Sequence, residues 1–491
     1  MKKISRRSFL FSSTVVAGVG VAAAGLRTSA WAAPVGANGA VRLGIIGCGA
    51  KALAHMKQLV KRTDARIVAL CDVDPQQIKK AQAELKAGAT GVFTSTDARA
   101  VLARADVDAV LIVTPNHWHA LLTVWACQAG KDVYVEKPMS HTVWEGRKMV
   151  EAAAKYGRVV QVGTQYRSES GLTEGIKFLH EGGLGKLKYV HAPYYGKRDP
   201  IARKAPWYPD WLSYEVFCGP TPVLPLERDK LHYDWHWSWA TGNGDLGNNG
   251  VHILDVARRI VKADGPPKRV LGVGGRFVYE DPAETPNAQI AVYDYAAAPV
   301  IFEARGLPAK PGVSYMDQAA GLRVGVVAYC EGGYLAGLIG CAAHDPSGKI
   351  IKKFPGDGGV VAHMTNFLDA VRSRRTQDLA ASPEIGHASA SMCHFGNISL
   401  RVGAAATPTA VADALAAMPA AAGIAKSMTE HLGVHGVDLA KRPLTLGPWM
   451  EIEANGDGIA KLEGAGEGAL DRARYFLHET QRPPYVIPDT V

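Results

Sequence analysis

Three groups of residues in this 491-residue chain have the types and spacing that chemistry needs. The first is Glu136-Lys137-Pro138, directly after the apolar run Val133-Tyr134-Val135. A lysine at a buried strand end can donate to a substrate hydroxyl and a ribose at once, and desolvation would lower its pKa toward useful values. The same residues also read as a surface lysine ahead of a turn proline. The second group runs Asp245-Leu-Gly-Asn248-Asn-Gly-Val-His252-Ile-Leu-Asp255. Spacings of three, four and three put Asp245, Asn248, His252 and Asp255 on one face if the segment is helical, with Val251 and Leu254 turned toward a core. An imidazole among amides and carboxylates is a candidate general acid/base because it titrates near neutrality. The plain alternative is a buried histidine with satisfied hydrogen bonds. Asp245, His252 and Asp255 would also suit a cation, but nothing else in the chain asks for a metal.

The third group is Gly47-Cys48-Gly49-Ala50, between the apolar strand Val41–Ile46 and a helix-length run to about Lys61. A second apolar run, Ile67–Cys71, then ends in Asp72. Gly47 permits the tight turn, Gly49 lets the backbone approach a pyrophosphate, and Ala52 stands where a third glycine lets helix pack on strand. The helix N-terminus offers unpaired N–H groups and its positive dipole end to phosphates. Asp72 can accept from both hydroxyls of an adenosine ribose. No arginine follows it to receive a 2′-phosphate, so NAD is expected in preference to NADP.

The elements that must hold these groups alternate at first. Ala109–Val113 is a continuous apolar strand, as in a parallel sheet covered on both faces, and Thr114-Pro115-Asn116-His117-Trp118-His119 leads from it into a helix. Helix Val143–Tyr156 and strand Val159–Val162 complete a doubly wound α/β domain over residues 40–163. Ligands of such sheets sit beyond the carboxyl ends of the strands, where Asp72, Asn116 and Lys137 all fall. From Thr164 strands follow one another (Leu187–Tyr195, Arg269–Phe277, Gln289–Tyr295, Val300–Arg305), which predicts an α+β domain over 164–403 with a large, open, mostly antiparallel sheet. Ala404–Ala425 reads as helical, Leu444–Val491 as a tail, and residues 404–491 together as an extension. Pro206–Trp239 reads as a long ordered loop. It holds Trp207, Trp211, Trp235, Trp237 and Trp239, half of the ten tryptophans. Flat aromatic faces suit a carbohydrate ring, and equally suit an oligomer interface or a loop tacked onto a sheet.

Hydrophobic content of 47% and charged content of 21% describe a globular chain with large cores. Net charge is +9, but Lys2, Lys3, Arg6, Arg7 and Arg27 supply five of those charges ahead of Ala33. The remainder is too mild to argue for nucleic acid, and no aromatic-and-basic motif accompanies it. The seven cysteines are widely spaced without a C-x-x-C pair, which argues against a disulfide framework or a structural zinc. Ser5-Arg6-Arg7-Ser8-Phe9-Leu10, the Gly- and Ala-rich run Val15–Leu26 and Ala30-Trp31-Ala32 read as a twin-arginine signal peptide over residues 1–32. That predicts a periplasmic protein with no stable membrane insertion once the signal is removed.

In combination the motifs resemble the Gfo/Idh/MocA oxidoreductases, which include glucose–fructose oxidoreductase and inositol dehydrogenase. The carriers are Gly44-Ile-Ile-Gly47-Cys-Gly49, Thr114–His119, Glu136-Lys137-Pro138, Gly163-Thr-Gln165-Tyr-Arg167 and Gly242–Asp255. The resemblance spans roughly Val41 to Gly403. It implies a Rossmann domain, an α/β domain with an open antiparallel sheet, NAD(P), sugar or polyol substrates, and a homodimer or homotetramer built on that sheet. It also implies that Lys137 is the active-site lysine and His252 the catalytic histidine. Inositol dehydrogenase-like members carry an aspartate four residues before the histidine. Here that position is Asn248, which cannot take a proton, so Asp245 or Asp255 would have to compensate. The expected cofactor contacts are Gly47, Gly49, Ala50, Asp72, Thr114, Asn116, His119, Glu136, Lys137, Gln165 and Arg167. Substrate is expected against Asp245, Trp237 and Tyr195, and catalysis at Lys137 and His252 with Asn248 and Asp255.

The expected activity is oxidation of CH–OH groups of a sugar or polyol with NAD held and recycled on the protein, since no free nicotinamide pool is expected outside the cytoplasm. Two other readings stand beside it. One is a redox-neutral glycoside-cleaving enzyme that oxidises a ring hydroxyl, eliminates the aglycone and returns the hydride. The other is a sugar-binding protein with a vestigial dinucleotide site.

Overall fold

Apolar strands with no polar alternation need cover on both faces, and that requirement builds the first half of the molecule. The computed structural model describes residues 39–491, so the expected signal peptide lies outside the described residues. Strands β1 (Val41–Ile46), β2 (Ala65–Cys71), β3 (Phe93–Ser95), β4 (Ala109–Ile112), β5 (Asp132–Val135) and β6 (Val160–Val162) form one parallel sheet in the order β3-β2-β1-β4-β5-β6. Helices α1 (Ala50–Leu59), α2 (Pro75–Leu85), α3 (Ala98–Leu102), α4 (Asn116–Gln128) and α5 (Val143–Lys155) are the crossovers. Local signals set their starts: Asp74 caps α2 ahead of Pro75, and Thr142 with Glu145 forms a capping box on α5. The strand order reverses between β1 and β4, which opens a crevice at their carboxyl ends.

The second sheet has twelve strands. At its middle, β7 (Leu187–Tyr195) runs parallel to Val300–Arg305 and antiparallel to Val326–Cys330, and every other pairing is antiparallel. Alternation along β7 divides its two faces. Val190, Ala192 and Tyr194 pack with residues of helices Val251–Ile260 and Pro383–Arg401, on the side of the first domain. On the far face, Ile290, Val292 and Ile301 pack beneath helices Pro408–Ala414 and Pro419–Val434.

Three segments differ from their sequence reading. Ala404–Ala425 opens with a short edge strand, Ala404–Ala406, before its helices begin, because alanine alone does not say which partner is at hand. Leu444–Val491 is no mere tail. Leu444–Leu446 and Trp449–Ile452 pair with the Arg269–Gly275 strand, and helix Ala469–His478 follows. Pro206–Trp239 overlaps a hairpin, Arg203–Trp207 with Leu226–Arg228, and contains short helices. These pieces span three to five residues, too short for a periodicity to register.

Candidate active site

The glycine turn is shaped as its sequence requires. Gly47 has φ +89° and its N–H donates to Cys71 O, while a Cβ there would lie 2.5 Å from Val113 O. Gly49 precedes α1 with no side-chain cap, and a Cβ on it would meet nothing within 4 Å. With Ala50 exposed beside it, the helix N-terminus is left with open space and unsatisfied donors, a cradle that fits a pyrophosphate. Asp72 accepts from Cys48 N at 2.7 Å and from Asp74 N at 2.9 Å, so its carboxylate is fixed at the tip of β2. Burial pushes its pKa upward against those two hydrogen bonds.

Lys137, at the end of β5, reaches across to the second domain. Its Nζ donates to Asn248 O at 2.7 Å and to Asn248 Oδ1 at 2.9 Å. Burial pulls its pKa down to about 8, with the neighbouring Glu136 carboxylate opposing the shift. Asn248 lies in a π-helical turn, Leu246–Gly250, that runs straight into helix Val251–Ile260. Such wide turns concentrate at functional sites, and this one presents both oxygens of Asn248 to a single ammonium. His252 follows in the first turn of the α-helix, edge-on to the Tyr166 ring at 5.2 Å, with Nδ1 buried and unpartnered among the described residues. Burial, reinforced by the Lys137 charge, holds its imidazole well below the ordinary histidine range, so it is neutral at pH 7.

The four-residue helical face read from the sequence does not form one cluster. The π turn widens the residue spacing between Asp245 and His252, and each carboxylate binds its own arginine. Asp245 pairs with Arg198 at 2.5 Å. Asp255 accepts from Arg167 Nε at 2.9 Å and Ser389 Oγ at 2.6 Å. Neither acid is hydrogen-bonded to His252, so no dyad compensates for Asn248.

Other expected residues are placed as follows. Thr114 sits against the glycine turn, since the Gly47 Cβ position is 2.9 Å from its N. Asn116 is buried and donates to Asn243 Oδ1 at 2.9 Å, joining the two domains. His119 is turned away from the crevice: its ring nitrogens lie 2.7 Å from Pro138 O and 2.8 Å from Thr114 O, bracing the end of β4 against that of β5. Glu136 likewise faces inward, 2.7 Å from His55 Nε2 and 3.4 Å from Lys51 Nζ. Burial alone would raise its pKa, but Lys51, His55 and Lys137 hold it well below the usual carboxylate range. Both side chains brace the strand ends that line the crevice. Gln165 and Arg167 share one half-buried turn, Gln165–Ser168, with Arg167 committed to Asp255.

Tyr195 is on the wrong face. Its hydroxyl donates to Glu303 on the far side of the large sheet, beside a cavity of about 630 Å³ that also includes His191, Arg305 and Asp317. Strand side chains alternate, so the tyrosine on the site face is Tyr194. Its OH accepts from Arg198 at 2.7 Å. The Arg198 guanidinium lies 4.9 Å over the Trp237 ring, which puts Trp237, Arg198 and Asp245 in one wall. Sequence reasoning missed Arg198, Tyr194, Tyr166 and His236. His236 stacks on Trp235 at 3.6 Å, with its Nδ1 2.6 Å from Tyr233 O. Burial lowers its pKa to about 3, and the charges of Lys137 and Arg198 add to the shift. A lone polar residue between two tryptophans was its only signal.

Residues 41–164 match the model of the Gfo/Idh/MocA group described as an oxidoreductase family with an NAD-binding Rossmann fold. The first domain is an NAD-binding Rossmann fold of that type. Over 153 residues the chain is 36% identical to inositol 2-dehydrogenase 3 of Saccharopolyspora erythraea, covering 31% of this chain and 44% of that one. Over 216 residues it is 27% identical to levoglucosan dehydrogenase of Pseudarthrobacter phenanthrenivorans, covering 43% of this chain and 48% of the other. The chain thus spans less than half the length of these curated relatives. Beyond the Rossmann domain, the fold itself is shared. The WlbA dehydrogenase of Chromobacterium violaceum, solved with NADH and UDP-GlcNAcA, superposes with a TM-score of 0.56 at 19% identity, covering 75% of this chain and 96% of that one.

Proposed function

We propose that this chain is an exported NAD-dependent oxidoreductase acting on CH–OH groups of a sugar or polyol, with its cofactor held through turnover. The observation that carries the reading is the bridge from Lys137 Nζ to both oxygens of Asn248, at 2.7 and 2.9 Å. It draws the lysine at the Rossmann crevice against the helix that bears His252. An ammonium has three donors, and two are used on Asn248. The third is available to a substrate oxygen, where it stabilises developing alkoxide charge. The neutral imidazole of His252 takes the hydroxyl proton. NAD, when bound, supplies the hydride acceptor. Gly47, Gly49 and Ala50 would hold its pyrophosphate and Asp72 its adenosine ribose, and the chain's own groups manage only the proton and the oxygen.

The substrate class is supported by the inositol and levoglucosan dehydrogenases among the relatives and by the wall of Trp237, Arg198 and Asp245, an aromatic face beside a fixed ion pair. Export rests on the twin-arginine residues of the N-terminus, and assembly into a dimer or tetramer would use the far face of the large sheet where the helices Pro408–Ala414 and Pro419–Val434 do not cover it. Denaturing the purified protein and identifying the released nucleotide tests the cofactor, and screening sugars and polyols for reduction of bound NAD tests the reaction. Protein that neither carries nor binds a nicotinamide nucleotide would rule the reading out.

A second reading draws on the segment Arg203–Trp239, which is anchored to the Rossmann domain at the ends of the two strands flanking the glycine turn. A cofactor that stays bound equally serves redox-neutral glycoside cleavage. Release of an aglycone without net oxidation would select that reading.

A further inference from the structure

The tryptophan-rich segment Arg203–Trp239 is anchored to the Rossmann domain at two separate strand ends. At the end of β2, Val73 packs into the segment's apolar cluster of Phe217, Leu226 and Leu231, and His232 Nε2 lies 2.8 Å from Asp74 Oδ2. At the end of β4, the first turn of α4 grips the carbonyls that close the short helix Tyr214–Cys218. His117 Nε2 is 2.8 Å from Phe217 O, and Trp118 Nε1 donates to Phe217 O at 3.0 Å and Val216 O at 3.1 Å. The fit is close, for a Cβ on Gly219 would fall 2.4 Å from the Trp118 ring. The distal part of the chain adds a third hold: Arg482 N donates to Pro220 O at 2.7 Å, and its guanidinium donates to Thr221 O and Glu215 O.

In the sheet, β1 lies between β2 and β4. A segment fixed to both of those ends brackets the carboxyl end of β1, where the Gly47–Ala50 turn and the open N-terminus of α1 would meet a pyrophosphate. The ribose edge beneath it carries two carboxylates, Asp72 and Asp74, and the second is already occupied by His232.

We infer that Arg203–Trp239 is a clasp over the adenosine and pyrophosphate half of the bound dinucleotide, which slows cofactor release, with His232 and Trp118 as its fastening points. The inference rests on the reading of the Rossmann domain as an NAD site. It gives His117 and Trp118 a role, as docking residues for the clasp.

The test uses the full chain loaded with NADH and chased with excess NAD, with dissociation followed by NADH fluorescence. His232→Ala removes one fastening at a side chain 40% exposed to solvent, so the fold is expected to survive. Trp118→Phe keeps a smaller aromatic ring and deletes the indole donor. Both are expected to speed NADH release about tenfold or more, the effect of losing roughly 1.4 kcal/mol from the closed state, with the thermal midpoint of nucleotide-free His232→Ala lowered by no more than about 4 °C. NADH should also protect the wild-type hairpin Arg203–Arg228 from trypsin. Should Trp118→Phe fail to fold, His232→Ala alone decides. Identical release rates in wild type and His232→Ala would overturn the clasp while leaving the NAD site standing. Wild-type protein that binds no NADH at millimolar concentration would overturn the NAD reading itself.

Discussion

Lys137 Nζ and the side-chain oxygen of Asn248 are 2.9 Å apart, so an ammonium that burial has weakened to a pKa of about 8 is held by a neutral amide. An amide accepts the hydrogen bond without adding charge, and the lysine stays within reach of titration near neutrality. If the ammonium form is the one that steadies the substrate oxygen, kcat/KM falls as pH rises through about 8. Asn248→Asp places a carboxylate against the same nitrogen, and an opposite charge at this range raises a lysine pKa by about one to three units. The alkaline limb of the kcat/KM profile is therefore expected to move upward in Asn248→Asp. A limb that stays in place would assign it to another group.

The glycine turn separates folding from binding. Gly49→Ala adds a Cβ where nothing lies within 4 Å, in the space through which the backbone is approached. Its unfolding free energy is expected to change by no more than about 0.5 kcal/mol, as for an unobstructed surface site, while NADH affinity falls about tenfold or more. Gly47→Ala behaves in the opposite way. Its Cβ would sit 2.5 Å from Val113 O on a residue with φ +89°, so the loss is in stability, about 1–3 kcal/mol from the backbone alone. Paired NADH titrations and urea melts of the two variants check this.

The two tyrosines that end β7 are expected to respond differently, because they face opposite sides of one sheet. Tyr194→Phe removes the acceptor 2.7 Å from Arg198 and loosens the wall that holds Arg198 over Trp237. Its effect is expected mainly in KM for the substrate proposed above, with the melting temperature little changed. Tyr195→Phe deprives buried Glu303 of a hydrogen bond, and an underserved buried carboxylate costs about 1–3 kcal/mol. That variant should lose stability and keep its kcat.

The Tyr194/Tyr195 misreading illustrates which parts of the molecule were legible in the sequence. The alternating strands and helices, the glycine turn and Asp72 depend on local physics, and the structure has them where the residues ask for them. Strand facing is a property of register, which a single-residue step inverts, and Leu187–Tyr195 is apolar enough on both faces to hide it. The partners of His119 and Glu136, Pro138 O and His55, come from elements brought near only by folding, so nothing local announces them. Arg198 sits in irregular chain and His236 in the single 3-10 turn Trp235–Trp237, too short for a period to mark it. The widened turn at Leu246–Gly250 is invisible to any reading that assumes 3.6 residues per turn, and it is what sends Asp245 and Asp255 to separate arginines.

Acid should destabilise the protein through histidines that fold uncharged. Burial lowers the pKa of His117 to about 3, of His394 to about 3 and of His363 to about 4, well under the unfolded value of about 6.5. The unfolded chain takes up these protons first. Stability is therefore complete above about pH 6.5 and declines as pH falls from there toward 4 and 3, where the folded forms would begin to charge. Urea midpoints at a series of pH values should drop steadily below about pH 6.5. In His394→Gln, which keeps a polar side chain beside Ser140 Oγ but cannot titrate, the slope of that decline should be smaller. An unchanged slope would mean that His394 takes up its proton in the native protein over the same pH range as in the unfolded chain, which its burial against His141 and His387 argues against, since each neighbouring imidazole makes a further proton there less favourable.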